Sequence, residues 1–381
     1  MTSRRDFCKK LGALGLAAAT SQTLFASAAP QTLFAASPEP KKKTVRKEND
    51  MIWAYLIHLG FNLWTDYQYD EYKMDAYDPS WSIHEVNNWA QMYRPELTCE
   101  SDVWDKIIDH LASTGANMAL IDIADGVEYE SHPEISVKGA WSSSHLRRIL
   151  RKMREKGIEP IPKLNFSACH KAWLGDYQYR ISSKAYYGVC RDLIEEVADM
   201  FDYPRFFHLG MDEETWYFQT DHRHCVVRNG DLWWHDLYYL QDVVERLNIR
   251  PWIWSDYVWD NTEIFYKKMP KSILQSNWNY EDTAPIIGPD GKPGDIRSQT
   301  YIDLETHGYD QIPTGTTWFS GGYWGNYQNI DNVTSFAKDK ISPQHLKGIM
   351  QTTWLGTLRP CLEEHLKAID ALQSARKKYF K

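Results

Sequence analysis

The stretch Arg205-Phe-Phe-His-Leu-Gly-Met-Asp-Glu-Glu-Thr-Trp216 decides how the rest of this chain is read. Its first half is a short apolar run with strand character. It ends in three adjacent acids, Asp212, Glu213 and Glu214, with aromatics following. A strand end crowded with carboxylates is where a β/α barrel keeps its chemistry. Two neighbouring carboxyls of different acidity are also the usual equipment for cleaving a glycosidic bond.

Strand-like and helix-like segments alternate on both sides of that stretch. Strands are expected at 51–64, 117–123, 158–166, 205–210, 251–255, 273–277, 312–319 and 346–353. Helices are expected at 101–114, 142–156, 183–201, 232–247, 263–268, 297–307, 332–340 and 361–379, the first capped by Ser101 and stopped at Gly115. Eight such units predict an α/β fold, a single-domain (β/α)8 TIM barrel over residues 51–381, because alternating strands and helices demand a parallel sheet covered by helices. An open doubly wound sheet would call for a glycine-rich first turn, which is missing.

The first fifty residues read as something other than fold. Arg4-Arg5 with Phe7 and Lys9, an apolar run from Leu11 to Ala19 and the small residues Ala26-Ser-Ala28 follow the order of a secretory leader. The arginine pair resembles a twin-arginine signal. Residues 1–29 are therefore expected to be a signal peptide and 30–50, rich in Pro and Lys, a flexible linker. The expected location is periplasmic or secreted, with no stable membrane insertion after export.

The formal net charge is −8, and no basic block lies outside the leader and linker, so nucleic acid is not expected as a partner. Aromatics make up 14% of the chain, with 17 Trp and 23 Tyr, which suits stacking against sugar rings and points to a carbohydrate substrate. Cys99, Cys169, Cys190, Cys225 and Cys361 are scattered without a C-x-x-C pair, so free thiols rather than a thiolate metal site are expected. Neither a metal nor a cofactor is expected.

The strand assignment places His58, Asn62 and Trp64 at the end of the first strand, and Asp122 and Asp125 at the second. Asn165, Cys169 and His170 follow the third, and His208 and the three acids the fourth. Trp254, Asp256 and Tyr257 follow the fifth, Asn277, Trp278 and Asn279 the sixth, Trp318, Tyr323 and Trp324 the seventh, and Gln351 and Trp354 the eighth. Aromatic walls with polar edges are the lining of a sugar pocket. The acids at 212 and 213 are sequence neighbours, which on an extended chain point to opposite sides. Such a pair suits an acid plus a residue that orients a substrate group which itself attacks, the substrate-assisted exception to the two-carboxylate scheme. An inverting alternative would recruit Asp256 or Asp122 as base. Two other readings stay open. One is a metal-dependent sugar isomerase or epimerase using Asp212, Glu213, His222 and His224, and the other is a non-catalytic carbohydrate-binding barrel.

The segment His208-Leu-Gly-Met-Asp-Glu213 resembles the H-x-G-G-D-E signature of glycoside hydrolase family 20, the β-N-acetylhexosaminidases. Residues 130–140, Ile161-Pro-Lys-Leu-Asn-Phe-Ser-Ala-Cys-His170, Trp254-Ser-Asp256 and Gln351-Thr-Thr-Trp354 are more weakly similar to other segments of that family. The resemblance implies Glu213 as general acid/base and Asp212 as the residue that orients the 2-acetamido group. It further implies Trp254, Trp318 and Trp354 as pocket walls, a tyrosine such as Tyr323 on the acetamide, and His208 as support for the acids. Asn165, His170, Asp256 and Trp278 complete the expected substrate-binding set. The chain departs from the family pattern in three places. Met211 stands at the second motif glycine, Lys163 or Asn165 at the strand-three acid, and 51–64 lacks the arginine that the family uses to grip sugar hydroxyls.

Overall fold

The computed structural model describes residues 50–281, 288, 291–319 and 322–380. The expected signal peptide, and all but residue 50 of the expected linker, lie outside them. Among the described residues there are ten strands: β1 (Ile52–His58), β2 (Met118–Asp122), β3 (Glu159–Lys163), β4 (Phe206–His208), β5 (Arg250–Trp254), β6 (Leu274–Ser276), β7 (Thr314–Thr316), β8 (Trp318–Phe319), β9 (Tyr323–Trp324) and β10 (Gly348–Thr352). Eight of them form one parallel sheet in the order β6-β5-β4-β3-β2-β1-β10-β7. Parallel bridges Gln275 to Gln311 and Trp278 to Thr314 bring its two edges together. The result is a nearly closed eight-stranded barrel wrapped by helices, a (β/α)8 TIM barrel.

Alternation along each strand sorts the side chains into two cores. Ile52, Ala54 and Leu56 of β1, Met118 and Leu120 of β2, and Trp252 and Trp254 of β5 pack together inside the barrel. The intervening Trp53, Tyr55, Ile57, Ala119, Ile121 and Ile253 join the larger core beneath the helices. Near the carboxyl ends the interior turns polar. Register pairs His58 with Asp122, Asp122 with Lys163, and Lys163 with His208, a layer of four ionisable side chains under the barrel mouth.

The helices lie close to expectation. Ser142 and Ser183 cap theirs through their side chains, as such residues should at an N-terminus. Ser101 instead is the first helical residue, behind Glu100. Glu100 makes no side-chain cap bond and is engaged by Tyr77 Oη at 2.5 Å. The first strand stops at His58 rather than 64, because the chain leaves the sheet at Leu59, whose N–H bonds the Asp122 carbonyl at 2.8 Å. The expected seventh strand is broken after Thr316, and β8 and β9 fold back as an antiparallel hairpin over the barrel mouth. The connection between β1 and the first barrel helix holds a further helix, Ile83–Gln91. The five cysteines among the described residues are free; Cys225 is exposed and the others are buried. Among the described residues no helix is long and apolar enough to cross a membrane.

One buried charge cluster anchors the loop after β4. The Arg228 guanidinium pairs with Glu214, with Asp236 at 3.0 Å and with the Phe166 carbonyl at 2.7 Å, and it is fully buried. Ser182 and Tyr187 hydroxyls complete Asp236 at 2.6 and 2.5 Å. Removing one member of such a cluster leaves charges buried without partners. Arg228→Leu is therefore expected to cost about 3–5 kcal/mol in urea unfolding. A loss below about 1 kcal/mol would show that the cluster does not anchor this loop.

Candidate active site

The loop from β4 turns sharply as it leaves the sheet. Gly210, Met211 and Glu213 all have φ in the left-handed region, at +73°, +71° and +54°. An L-residue other than glycine pays roughly 1–2 kcal/mol for this conformation. At Met211 the rest of the fold carries that cost, with the side chain fully buried and its sulfur 3.7 Å from Arg228. Gly210 is needed for a second reason. A Cβ there would sit 1.9 Å from Asn165 Oδ1. The coiled backbone overturns the extended-chain expectation: Asp212 and Glu213 line the same cavity rather than opposite sides. Glu214 turns away into the Arg228 cluster.

His170 joins the two acids. Its Nε2 lies 3.1 Å from Asp212 Oδ2 and 3.2 Å from Glu213 Oε2. Burial opposes a charge on this imidazole, but the Cys169 sulfur and the Asp212 carboxylate beside it raise its pKa well above the ordinary value. Burial likewise disfavours charge on Asp212, yet His170, Lys163 and a 3.0 Å hydrogen bond from Asn165 Nδ2 hold its pKa down, at about 2. Asp212 is thus a carboxylate at neutral pH, under an imidazolium. Asp256 differs. Burial and the charges of Asp212 and Glu213 raise its pKa well above the carboxylate range, and its Oδ2 accepts the Glu213 backbone N–H at 2.7 Å.

The cavity has a volume of about 360 Å³. Trp64, Trp254, Trp278, Trp318, Trp324 and Trp354 form its aromatic walls, and His84, Asn87, Asn88, Gln91, Tyr280, Glu281 and Arg297 supply polar edges. A second cavity of about 450 Å³ shares Glu213, Phe218, Trp278 and Arg297 with the first and includes Asp256 in its lining. The expected residues are therefore mostly gathered here, with exceptions. Tyr323 is 68% exposed, stacks on His84 and is absent from the cavity wall. Tyr280 lines the cavity in its place, its buried hydroxyl beside the Trp354 indole N–H. His208 lies beneath, fully buried against Trp254, accepting the Gly210 N–H on Nδ1 at 3.0 Å. Asn165, not Lys163, touches Asp212, while Lys163 pairs with Asp122 inside the barrel. His84, Asn87, Asn88, Gln91, Tyr280, Glu281 and Arg297 were missed. The first four occupy i, i+3, i+4 and i+7 of a helix, a pattern readable from sequence once that segment is known to be helical.

A metal does not fit the donors well. Among the described residues, Cys169, His170 and Glu213 place ligand atoms within 4.8 Å of one another. Burial pushes the Cys169 thiol up to about 12, and His170 is held as an imidazolium, so two of the three donors carry protons. The isomerase histidines go elsewhere. His222 bonds the Cys169 carbonyl at 2.8 Å, and His224 is exposed beside Tyr179.

The glycosyl hydrolase family 20 catalytic-domain model matches residues 100–360. None of the curated proteins matches the chain. Among solved structures, the β-N-acetylhexosaminidase from Streptomyces coelicolor is similar at 11% identity and TM-score 0.53, over 84% of this chain and 63% of that one. The β-N-acetylhexosaminidase from Bacteroides fragilis is similar at 13% identity and TM-score 0.53, over 84% and 65%. The exo β-N-acetylglucosaminidase from Vibrio harveyi, solved with N-acetylglucosamine, is similar at 12% identity and TM-score 0.50, over 71% and 52%. The chain thus spans about half to two thirds of the length of these structures.

Two outcomes follow from the site itself. Gly210→Ala is expected to destabilise the fold by about 2–4 kcal/mol, from left-handed strain plus overlap with Asn165. Adding Asn165→Ala should recover part of that loss in a double-mutant cycle, and strict additivity would show that the overlap is not the cause. The second concerns pH. His170 has a raised folded pKa, so its contribution is complete below about 6.5, the unfolded imidazole value, and fades as pH rises toward the folded value. Asp212 has a depressed pKa, so its contribution holds above about 4 and is lost as pH falls toward about 2. Melting temperatures of His170→Gln should accordingly lack the alkaline decline of the parent. An identical decline in both would remove His170 from the account.

Proposed function

The chain belongs to glycosyl hydrolase family 20, and we propose that it is a retaining glycosidase that cleaves a β-linked N-acetylhexosamine or related sugar. The observation that carries the reading is that Asp212 and Glu213 share one wall of an aromatic-lined cavity, bridged by His170. The acetamide carbonyl oxygen of the substrate attacks the anomeric carbon as the glycosidic C–O bond breaks. Glu213, the more exposed of the two acids at 24% against 9%, gives its proton to the leaving oxygen. Asp212 accepts the acetamide N–H and balances the positive charge that develops on the ring formed by the attack. Tyr280, whose oxygen faces the Trp354 indole N–H, donates its hydroxyl proton to the attacking carbonyl oxygen. Glu213, now a carboxylate, takes a proton from the water that opens that ring, and two inversions leave the configuration retained.

The inverting scheme finds less support. Asp122 is paired with Lys163 below the mouth, and Asp256 tends to hold its proton, which makes it a poor base. The name N-acetylhexosaminidase belongs to the solved neighbours, and its transfer to this chain rests on the acid pair and Tyr280. The leader motif at Arg4-Arg5 supports the further proposal that the enzyme acts outside the cytoplasm, by twin-arginine export.

Glu213→Gln should lower kcat on 4-nitrophenyl β-N-acetylglucosaminide by roughly 10²–10⁴ with the fold intact. Asp212→Asn should be comparably damaging, a thiazoline mimic of the ring intermediate should inhibit, and EDTA should change nothing. Equal cleavage of glycosides lacking the acetamide, or an inverted first product, would discard the substrate-assisted scheme.

A further inference from the structure

The helix Ile83–Gln91 precedes residue 100, where the family match begins, and it enters the long connection after β1. That connection also follows the strand that lacks the family's hydroxyl-gripping arginine. His84, Asn87, Asn88 and Gln91 all line the cavity from one face of this helix. The opposite face, Val86, Trp89 and Ala90, is buried in a small core with Phe61, Leu355, Leu358 and Cys361. A reciprocal Ser82–Glu85 capping box fixes the start of the helix. Trp89 and Arg94 bond backbone carbonyls around its end, at 3.1 Å from Trp89 Nε1 to Met74 and 2.9 Å from Arg94 Nε to Trp89. The polar face is held by the protein, with no ligand needed to order it.

Two details show that this face has bonding capacity to spare. Asn87 is only 4% exposed, and its Oδ1 has no hydrogen-bond partner among the described residues. A buried carbonyl oxygen left unpaired costs stability, on the order of 1–3 kcal/mol. His84 Nδ1 lies 2.9 Å from the Gly322 carbonyl, so that nitrogen carries the proton. Its Nε2 then accepts from Asn88 Nδ2 at 3.2 Å, which leaves the Asn88 oxygen free of that bond and turned by it.

We propose that Asn87, Asn88 and Gln91 are the specificity-determining grip of the cavity, recognising the hydroxyl groups of a neutral sugar. The inference rests on reading this cavity as a sugar pocket. A carboxamide offers a donor and an acceptor side by side, matching a hydroxyl that gives and receives. It brings no charge. The cations of the lining are already matched, His170 by Asp212 at 3.1 Å and Arg297 by Glu281 at 2.8 Å, so an anionic sugar meets no spare positive charge.

The test is a titration of the full chain by tryptophan fluorescence with N-acetylglucosamine, N-acetylgalactosamine, glucose, galactose and glucuronate. At least one neutral sugar should bind. Asn87→Leu and Gln91→Ala should each weaken it by roughly 10-fold or more, the worth of one buried hydrogen bond. Asn87→Leu should keep or raise the melting temperature, since it removes an unpaired buried oxygen. If it instead lowers the melting temperature, the half-buried Gln91 and Asn88→Ala variants decide. Parent-like binding by these variants, no binding of any neutral sugar, or tighter binding of glucuronate overturns the proposal. Turnover of 4-nitrophenyl β-N-acetylglucosaminide separates the two readings. Binding without turnover sinks the glycosidase and leaves the grip.

Discussion

The contact of one imidazole with two carboxylates governs the site. His170 Nε2 stands about equally far from Asp212 and Glu213, in surroundings almost closed to water. Two acids adjacent in sequence and poorly hydrated repel each other, and a single cation between them lets one ionise deeply. The Asp212 carboxylate is further held by Asn165, and Lys163 lies behind it in the barrel. Asp256, buried and close to the charges of both acids, is driven the other way. Asp212 and Asp256, at one strand end and the next, are thereby driven to opposite protonation by their neighbours.

Holding that arrangement has structural costs paid elsewhere. The turn through Gly210, Met211 and Glu213 puts two non-glycine residues in the left-handed region. The buried Arg228 cluster absorbs Glu214 and ties the loop to β3's end and to the following helix. Met211, where the family signature has glycine, is compatible with the same turn because its side chain fills a fully buried space next to Arg228. The substitution changes what stabilises the turn without moving the acids from the cavity.

On the β1 side of this centre, the recognition proposed for the sugar is neutral. Residues 51–64 contain no arginine, and the connection that follows carries Arg94 bonded to the backbone carbonyls of Tyr72, Met74 and Trp89. That connection provides a capped helix, seated on its own small core, with carboxamides toward the ligand space. The hairpin of β8 and β9 meets that helix through His84 and Gly322, so the two elements together frame the mouth.

Much of the barrel was legible in the sequence because burial on both faces of a parallel strand writes a continuous apolar run, and helix caps are local. Asp212, Glu213, His170 and the tryptophans at 254, 278, 318 and 354 could be named from strand ends alone. Three things could not. The direction of neighbouring side chains after a strand depends on backbone angles, and the left-handed φ of a methionine and a glutamate is set by tertiary packing. The choice of Tyr280 over Tyr323 follows from a hairpin whose register turns Tyr323 out to solvent beside His84. The fate of Glu214 hangs on Arg228, and the grip of residues 84–91 on a helix whose apolar face is completed by residues near 355–361. The sequence by itself determined the eight-unit barrel and the residue types at its mouth, since those rest on periodicity and local propensity. Only the tertiary structure decided which of them meet, since that rests on pairings between segments far apart in the chain.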